Sequence, residues 1–342
     1  MKKFAAVFAA FLVSLTAIAP VQAAEQSTVV IIDSGFNSEL LPNANIVQEV
    51  CVVSISVGCN NGKGFEEGPG ASGHNYPIRS TYLKDWQHGT IMADIVSQIN
   101  PDANIILLRN AKAVRGTIIA GNIKDFELAL EWVAQNTDKY NIVAVSFSRG
   151  DHSYATKASN TSAIQKNIAT YEKVIATLQR SKASEARLAP YFAKLAEFQS
   201  QLNNLAPCPV DSSVRADIVS LQNLGVATII ASGNDADKKY VDYPACIDEA
   251  VAVSTLAWYD NNDGTANAAN NTNISEKTDF VVDSEFNTVL GRVVLSSSAA
   301  TAALAGYWSK LDTGSFQGTY DTIVSNGYST KGYSAVALNL VP

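Results

Sequence analysis

The sequence predicts an α/β protein built on a doubly wound, mainly parallel sheet. Three observations carry the prediction: short, unbroken β-branched runs such as residues 28–32 (TVVII), stretches of helical length between them, and their alternation along most of the chain. A strand of a parallel sheet is covered on both faces, so it reads as a continuous apolar run rather than as apolar and polar in turn. Residues 28–32 form the first such strand and run straight into Asp33-Ser34-Gly35. Residues 91–99 read as a helix following His88, 104–108 as a strand, 126–134 as a helix and 142–146 as the next strand. Residues 214–224 form a helix closed by Gly225, after which 226–231 return as a strand. A last helix spans about 298–311, followed by a polar C-terminal stretch. The segment at about 151–210 interrupts this rhythm and is too long for an ordinary connection. Ile164, Ile168, Tyr171, Ile175 and Leu178 recur at helical spacing, as do Leu188, Tyr191, Leu195, Phe198, Leu202 and Leu205. These stripes predict an inserted αα-hairpin whose helices bury them against each other.

Composition narrows the function classes. The 342 residues are 47% hydrophobic, enough for one large core or two smaller ones, and 25 Lys+Arg stand against 32 Asp+Glu for a net charge of −7. A nucleic-acid backbone would be repelled. Lys2 and Lys3, an apolar run over 4–19 and small residues up to Ala23 and Ala24 make a secretory signal peptide, residues 1–23. The run is shorter than the roughly 20 apolar residues of a membrane-spanning helix. The mature chain, 24–342, is therefore expected to be one exported domain without a membrane span, periplasmic or extracellular and of bacterial type. Losing two lysines and no acid moves its charge from −7 to −9. Export places Cys51, Cys59, Cys208 and Cys246 in an oxidising compartment, where four cysteines allow three pairings. Cys51 with Cys59 would close a short loop, and Cys208 with Cys246 would tie the insertion to the core. Zinc is disfavoured, since Cys-x-x-Cys is absent and the histidines are only His74, His88 and His152.

Four stretches sit where a strand or helix begins or ends: Asp33-Ser34-Gly35, His88-Gly89-Thr90, Ala231-Ser232-Gly233-Asn234 and Ser296-Ser297-Ser298-Ala299-Ala300. Parallel α/β sheets gather their sites at the carboxyl ends of the strands. An Asp, a His and a Ser there are the parts of a nucleophilic triad, and an Asn amide can donate to an oxyanion.

On these four motifs, in this order, the chain resembles the subtilisin-like serine peptidases over roughly residues 28–150 and 211–311. Met92-Ala93 after the histidine, Tyr243-Pro244-Ala245, and the helix from Ser298 to its closing Ala305-Gly306 add to the likeness. The resemblance implies a three-layer α/β/α fold of subtilisin type and an endopeptidase acting on peptides or proteins. Ser298 is the implied nucleophile, His88 the base, Asp33 its orienting carboxylate and Asn234 the oxyanion donor. Substrate is expected to lie as an added strand beside Ser146, Phe147 and Ser148, with Ala231, Ser232 and Gly233 as the opposite wall of the pocket for the side chain before the cut. The reaction requires no cofactor. A structural calcium is compatible with the resemblance but has no clear motif, since Asp260-Asn261-Asn262-Asp263-Gly264 fails the EF-hand register and reads as a polar turn. Only Ala24 to Ser27 precede the first strand, so no family-type propeptide is expected; either the fold forms unaided, or an inhibitor or chaperone acts in trans, or restraint is unnecessary because activity is weak or absent. His74 reads as a surface histidine and His152, just past Arg149 and Gly150, as a solvated loop histidine, with a place at the border of the substrate groove as the alternative. The competing function is a pseudopeptidase that binds peptides or a partner. It is favoured if Ser296, where the family has glycine, needs a positive φ that displaces Ser298. An α/β-hydrolase esterase is set aside, because Gly-x-Ser-x-Gly does not occur.

Overall fold

The computed structural model describes residues 26–54, 58–74, 79, 83–114, 117–119, 121–154, 162–203, 208, 212–260, 264–293 and 295–340. The expected signal peptide and its cut therefore lie outside the described residues, as do parts of the expected insertion and of the expected turn at 260–264. In chain order the elements are β1 (Thr28–Asp33), β2 (Asn45–Val52), β3 (Phe65–Glu67), α1 (Leu83–Ile99), β4 (Asn104–Arg109), β5 (Lys112–Val114), β6 (Thr117–Ile119), α2 (Ile123–Tyr140) and β7 (Ile142–Phe147). There follow α3 (Ser162–Arg180), α4 (Glu185–Asn203), α5 (Ser213–Asn223), β8 (Ala227–Ala231), β9 (Val251–Asp260), β10 (Thr265–Ala268), β11 (Phe280–Val282), β12 (Phe286–Thr288) and β13 (Gly291–Val293). The chain closes with α6 (Ser297–Lys310), α7 (Phe316–Ser325), β14 (Tyr328–Thr330) and β15 (Val336–Leu338).

Eleven strands form the main sheet in the order β10-β14-β15-β11-β9-β8-β7-β1-β4-β2-β3. The centre, from β2 and β4 through β1, β7, β8 and β9 to β11, pairs in parallel. Side chains alternate between the faces of a strand, and here both faces are covered. Val29 and Ile31 of β1 join one apolar cluster with Met92 and Ile95 of α1 and Leu304 and Trp308 of α6. Val30 and Ile32 join another with Phe126 and Leu130 of α2 and Ile218 and Leu221 of α5. Such a side chain, fully withdrawn from water, contributes about 1.5–3 kcal/mol. This is the reason the first strand has no polar alternation. Helix α6 buries all its residues except Tyr307 and Lys310, as a helix apolar around its circumference must.

Two elements differ from expectation. Helix α1 begins at Leu83, which places His88 within the helix rather than ahead of it. A glycine at 89 suggests a helix start, but here it is demanded by close approach: a Cβ would lie 2.5 Å from the Gly35 carbonyl and 2.9 Å from the Asp33 Cβ. The polar C-terminal stretch folds into α7, β14 and β15, and the two strands extend the main sheet beyond β11. Strands of three residues carry too little periodicity to be read from sequence.

In the insertion, α3 and α4 pack through Tyr171 against Tyr191 and Phe198, with ring centroids 6.4 and 5.6 Å apart. Cys51 is bonded to Cys59 and Cys208 to Cys246. The second bridge lies against the α2–α5 cluster. Asp260 and Thr265 pair across the antiparallel β9 and β10, and residues 261–263 between them lie outside the described residues.

Candidate active site

Because β1, β7 and β8 are parallel neighbours, their carboxyl ends share one edge. Asp33 ends β1, Ser148 follows β7, Asn234 follows β8, and Ser298 lies in the first turn of α6. Asp33 is buried, and its Oδ1 accepts from the Ser34 N–H at 2.6 Å and the Ser34 hydroxyl at 3.1 Å. Its Oδ2 lies 2.8 Å from His88 Nδ1. An ionised carboxylate only accepts, so Nδ1 carries the proton and Nε2 is the basic nitrogen of the neutral ring. The glycine contact at 89 and the bond from the Asn37 N–H to Thr90 Oγ1 at 2.9 Å hold α1 against this loop.

Ser298 Oγ donates to the Ser148 carbonyl at 3.4 Å, and Ser148 Oγ donates to the Ser298 carbonyl at 3.3 Å. Asn234 Oδ1 accepts from the Ser297 N–H at 3.0 Å. Only the oxygen of an amide can meet an N–H, so this bond fixes the side chain's orientation and leaves its NH2 as the exposed end. The Ser298 N–H is another first-turn donor, a kind that has no partner within its own helix. Ser296 is extended, with φ −122° and ψ 123°, and the positive φ of 50° falls on Leu295 instead. Serine at 296 therefore carries no left-handed penalty.

The expected substrate edge shifts by about two residues. Ser146 and Phe147 are paired on both sides, with Ile31 and Ile32 of β1 and with Ile229 and Ile230 of β8. Their edges are thus taken, and Phe147 stacks on Phe126 in the core at 3.9 Å. Pairing of β7 with β8 stops at Phe147 and Ile230. Beyond it residues 148–150 and 231–233 form the sides of a slot. Asp242 and Tyr243 cross its far end: the Asp242 N–H donates to the Ser232 carbonyl at 2.9 Å and the Asp151 N–H to the Tyr243 carbonyl at 2.8 Å.

Sequence reasoning missed Asp242 and Asn273 at that end and left His152 as a groove-border alternative. Asp242 is buried, and its Oδ1 lies 2.8 Å from His152 Nδ1 and accepts from Asn273 Nδ2 at 2.9 Å. Asn273 Oδ1 accepts from the N–H groups of Asp235 and Asp237 at 2.8 and 3.0 Å. His152 also lies 3.8 Å from Asp235 and 3.7 Å from Asp237, so it belongs to a carboxylate cluster rather than a solvated loop. Burial pushes the Asp242 carboxyl up to about 6, against the pull of His152. Asp242 directly precedes Tyr243-Pro244-Ala245, a stretch already singled out, but a linear reading cannot join residues 90 positions apart. His74 is likewise no surface group. Its ring packs on Trp86 with centroids 4.3 Å apart, Nε2 is buried with no hydrogen-bond partner among the described residues, and burial together with the Arg109 charge lowers its pKa to about 3.

His152, Asp235 and Asp242 offer ligand atoms within 4.8 Å of one another. They do not fit the structural calcium of related folds. Calcium takes six to eight oxygen ligands, whereas here one position is an imidazole and Asp242 Oδ1 already has two nitrogen neighbours.

No protein-family model and no curated protein sequence matches the chain. Solved structures do. A protease from Pseudoalteromonas arctica superposes with a TM-score of 0.58 at 12% identity, covering 92% of this chain and 88% of that one. A cold-adapted subtilisin-like serine proteinase gives 0.51 at 16%, covering 92% and 89%, and sphericase gives 0.51 at 15%, covering 92% and 88%. At such identities the likeness is one of fold, and the fold is subtilisin-like.

Proposed function

We propose, with the subtilisin-like fold as the premise, that this chain is an exported serine endopeptidase. The observation that carries the reading is the 2.8 Å pair of buried Asp33 with His88 Nδ1 at the sheet edge where Ser298 and Asn234 also lie. In this reading the Ser298 hydroxyl attacks the scissile carbonyl while His88 Nε2 takes its proton. Asp33 holds the imidazole in the required tautomer and stabilises its charged form. The Asn234 NH2 and the Ser298 N–H donate to the oxyanion that develops, and His88 then returns the proton to the leaving amine. Substrate adds along 148–150, the first part of the β7 edge left open. No step requires a cofactor.

The layering is read as a doubly wound α/β/α sandwich of subtilisin type. The domain would span 24–342, with an αα-hairpin inserted at about 151–210, behind a signal peptide at 1–23. Two disulfides support an oxidising location, and among the described residues no helix is long and apolar enough to cross a membrane.

The test is covalent labelling of the oxidised protein by a fluorophosphonate probe. Labelling is expected in the parent and lost in Ser298→Ala and His88→Ala. A folded, disulfide-intact parent that does not label would sink the reading and leave a peptide-binding pseudopeptidase in its place.

A further inference from the structure

We propose that the slot beside Ser298 selects a cationic side chain, arginine or lysine, at the residue before the cut, and that Asp242 is the group that reads it. The inference rests on the peptidase reading above and names its substrate class. The slot opens because β7 and β8 stop pairing at Phe147 and Ile230. Its sides are 148–150 and 231–233, and Asp242 closes its end through the bond to the Ser232 carbonyl. The carboxylate is turned between the two sides. A Cβ built on Gly150 would meet Asp242 Oδ2 at 2.6 Å, and one built on Gly233 would meet the same oxygen at 2.5 Å. Both positions are glycine in a place where any side chain would press on that oxygen, and Gly233 also has a φ of +107°.

The two oxygens of Asp242 divide the work. Oδ1 faces His152 Nδ1 and Asn273 Nδ2, which hold the side chain in place. Oδ2 accepts no hydrogen bond among the described residues, so its lone pairs remain for a donor from the slot. The surroundings suit a cation. Asp235, Asp237 and Asp242 gather around the single imidazole of His152, which leaves the cluster negative even when the ring is protonated. The neighbouring cations are engaged elsewhere: Lys238 Nζ donates to the carbonyls of Ala269 and Thr272, and Arg149 donates to the Gly121 carbonyl. An apolar side chain would leave Oδ2 of this buried carboxylate without a donor, whereas a guanidinium or ammonium supplies both charge and donors. Selectivity built on a buried polar partner is larger than selectivity built on fit alone.

The experiment compares peptide amides that differ only before the cut, carrying arginine, lysine, citrulline or leucine. Citrulline matches arginine in shape and lacks the charge. We expect kcat/KM for arginine to exceed that for citrulline at least about tenfold, and Asp242→Asn to cut that ratio at least about tenfold. The ratio is taken within one sample, so lost active protein cancels. The parent's arginine-to-citrulline ratio stands even where Asp242→Asn does not fold. A parent ratio near one, or a preference for leucine, overturns the assignment. Labelling by the fluorophosphonate without cleavage is resolved by competition: benzamidine slowing the labelling more than neutral benzamide supports the assignment, and equal effects overturn it. Neither labelling nor cleavage overturns the peptidase reading and this assignment with it, whereas labelling with a ratio near one overturns the assignment alone.

Discussion

Asn234 holds two jobs that substitution can separate. Its Oδ1 accepts the Ser297 N–H at the start of α6, a helix whose own preceding residue, Ser296, makes no side-chain cap bond. Its NH2 is the proposed oxyanion donor. Asn234→Ala removes both. The lost cap should cost about 1 kcal/mol, and the lost donor about 10²–10³ in turnover, the range found when one oxyanion donor is removed from a serine peptidase. Asn234→Asp removes only the donor. The carboxylate still accepts from Ser297, and its charge at a helix N-terminus is favourable by about 0.3–1 kcal/mol. That variant should therefore be as stable as the parent or slightly more so. It should nevertheless lose at least as much turnover as the alanine variant, because it sets a negative charge where another must develop. Urea unfolding midpoints at constant slope measure the first quantity, and kcat/KM on one cleavable peptide measures the second. An aspartate variant that keeps more than about a tenth of the parent's kcat/KM would refute the donor role. An alanine variant with an unchanged midpoint would refute the cap.

Two further predictions follow from packing and burial. Gly306 is where α6 crosses α1, and a Cβ there would lie 3.0 Å from both the Ile99 Cβ and the Val96 carbonyl, neither of which can rotate away. Gly306→Ala gains about 1 kcal/mol in helix propensity but must push apart the helices that carry His88 and Ser298. A net loss of about 1–2 kcal/mol and slower fluorophosphonate labelling are expected, and a variant more stable than the parent would contradict the close crossing. His74 is kept neutral, with its folded pKa lowered to about 3 from an ordinary 6.5. Between those values the unfolded chain binds the extra proton, so this group's contribution is full above about pH 6.5 and is lost as pH falls, by about 1.4 kcal/mol per pH unit. The stability difference between the parent and His74→Gln should shrink with that slope from pH 6.5 towards pH 4 in urea titrations, and a difference independent of pH would place His74 in water.

The sequence by itself determined the α/β alternation, because a strand buried on both faces must be apolar throughout, as residues 28–32 are. It also marked the residues of the proposed catalytic site. Asp33, His88, Asn234 and Ser298 each sit in a short motif at the end of a strand or within a helix, and the meaning of such a motif is local. The two disulfides stand between the classes: four cysteines allow three pairings, and the structure forms Cys51–Cys59 and Cys208–Cys246. The tertiary structure decided which edges are open. Nothing local marks Ser146 and Phe147 as flanked by β1 and β8, because strand order is settled by pairing between distant segments, and so the proposed substrate edge begins only at 148. The same holds for His152, Asp242 and Asn273. Each alone is an ordinary polar loop residue, and they become a site only where β7 and β8 part and the chain returns across the gap. Local chemistry is written in the order of residues, whereas a slot, and the charge at its end, exists only once the sheet has brought its sides together.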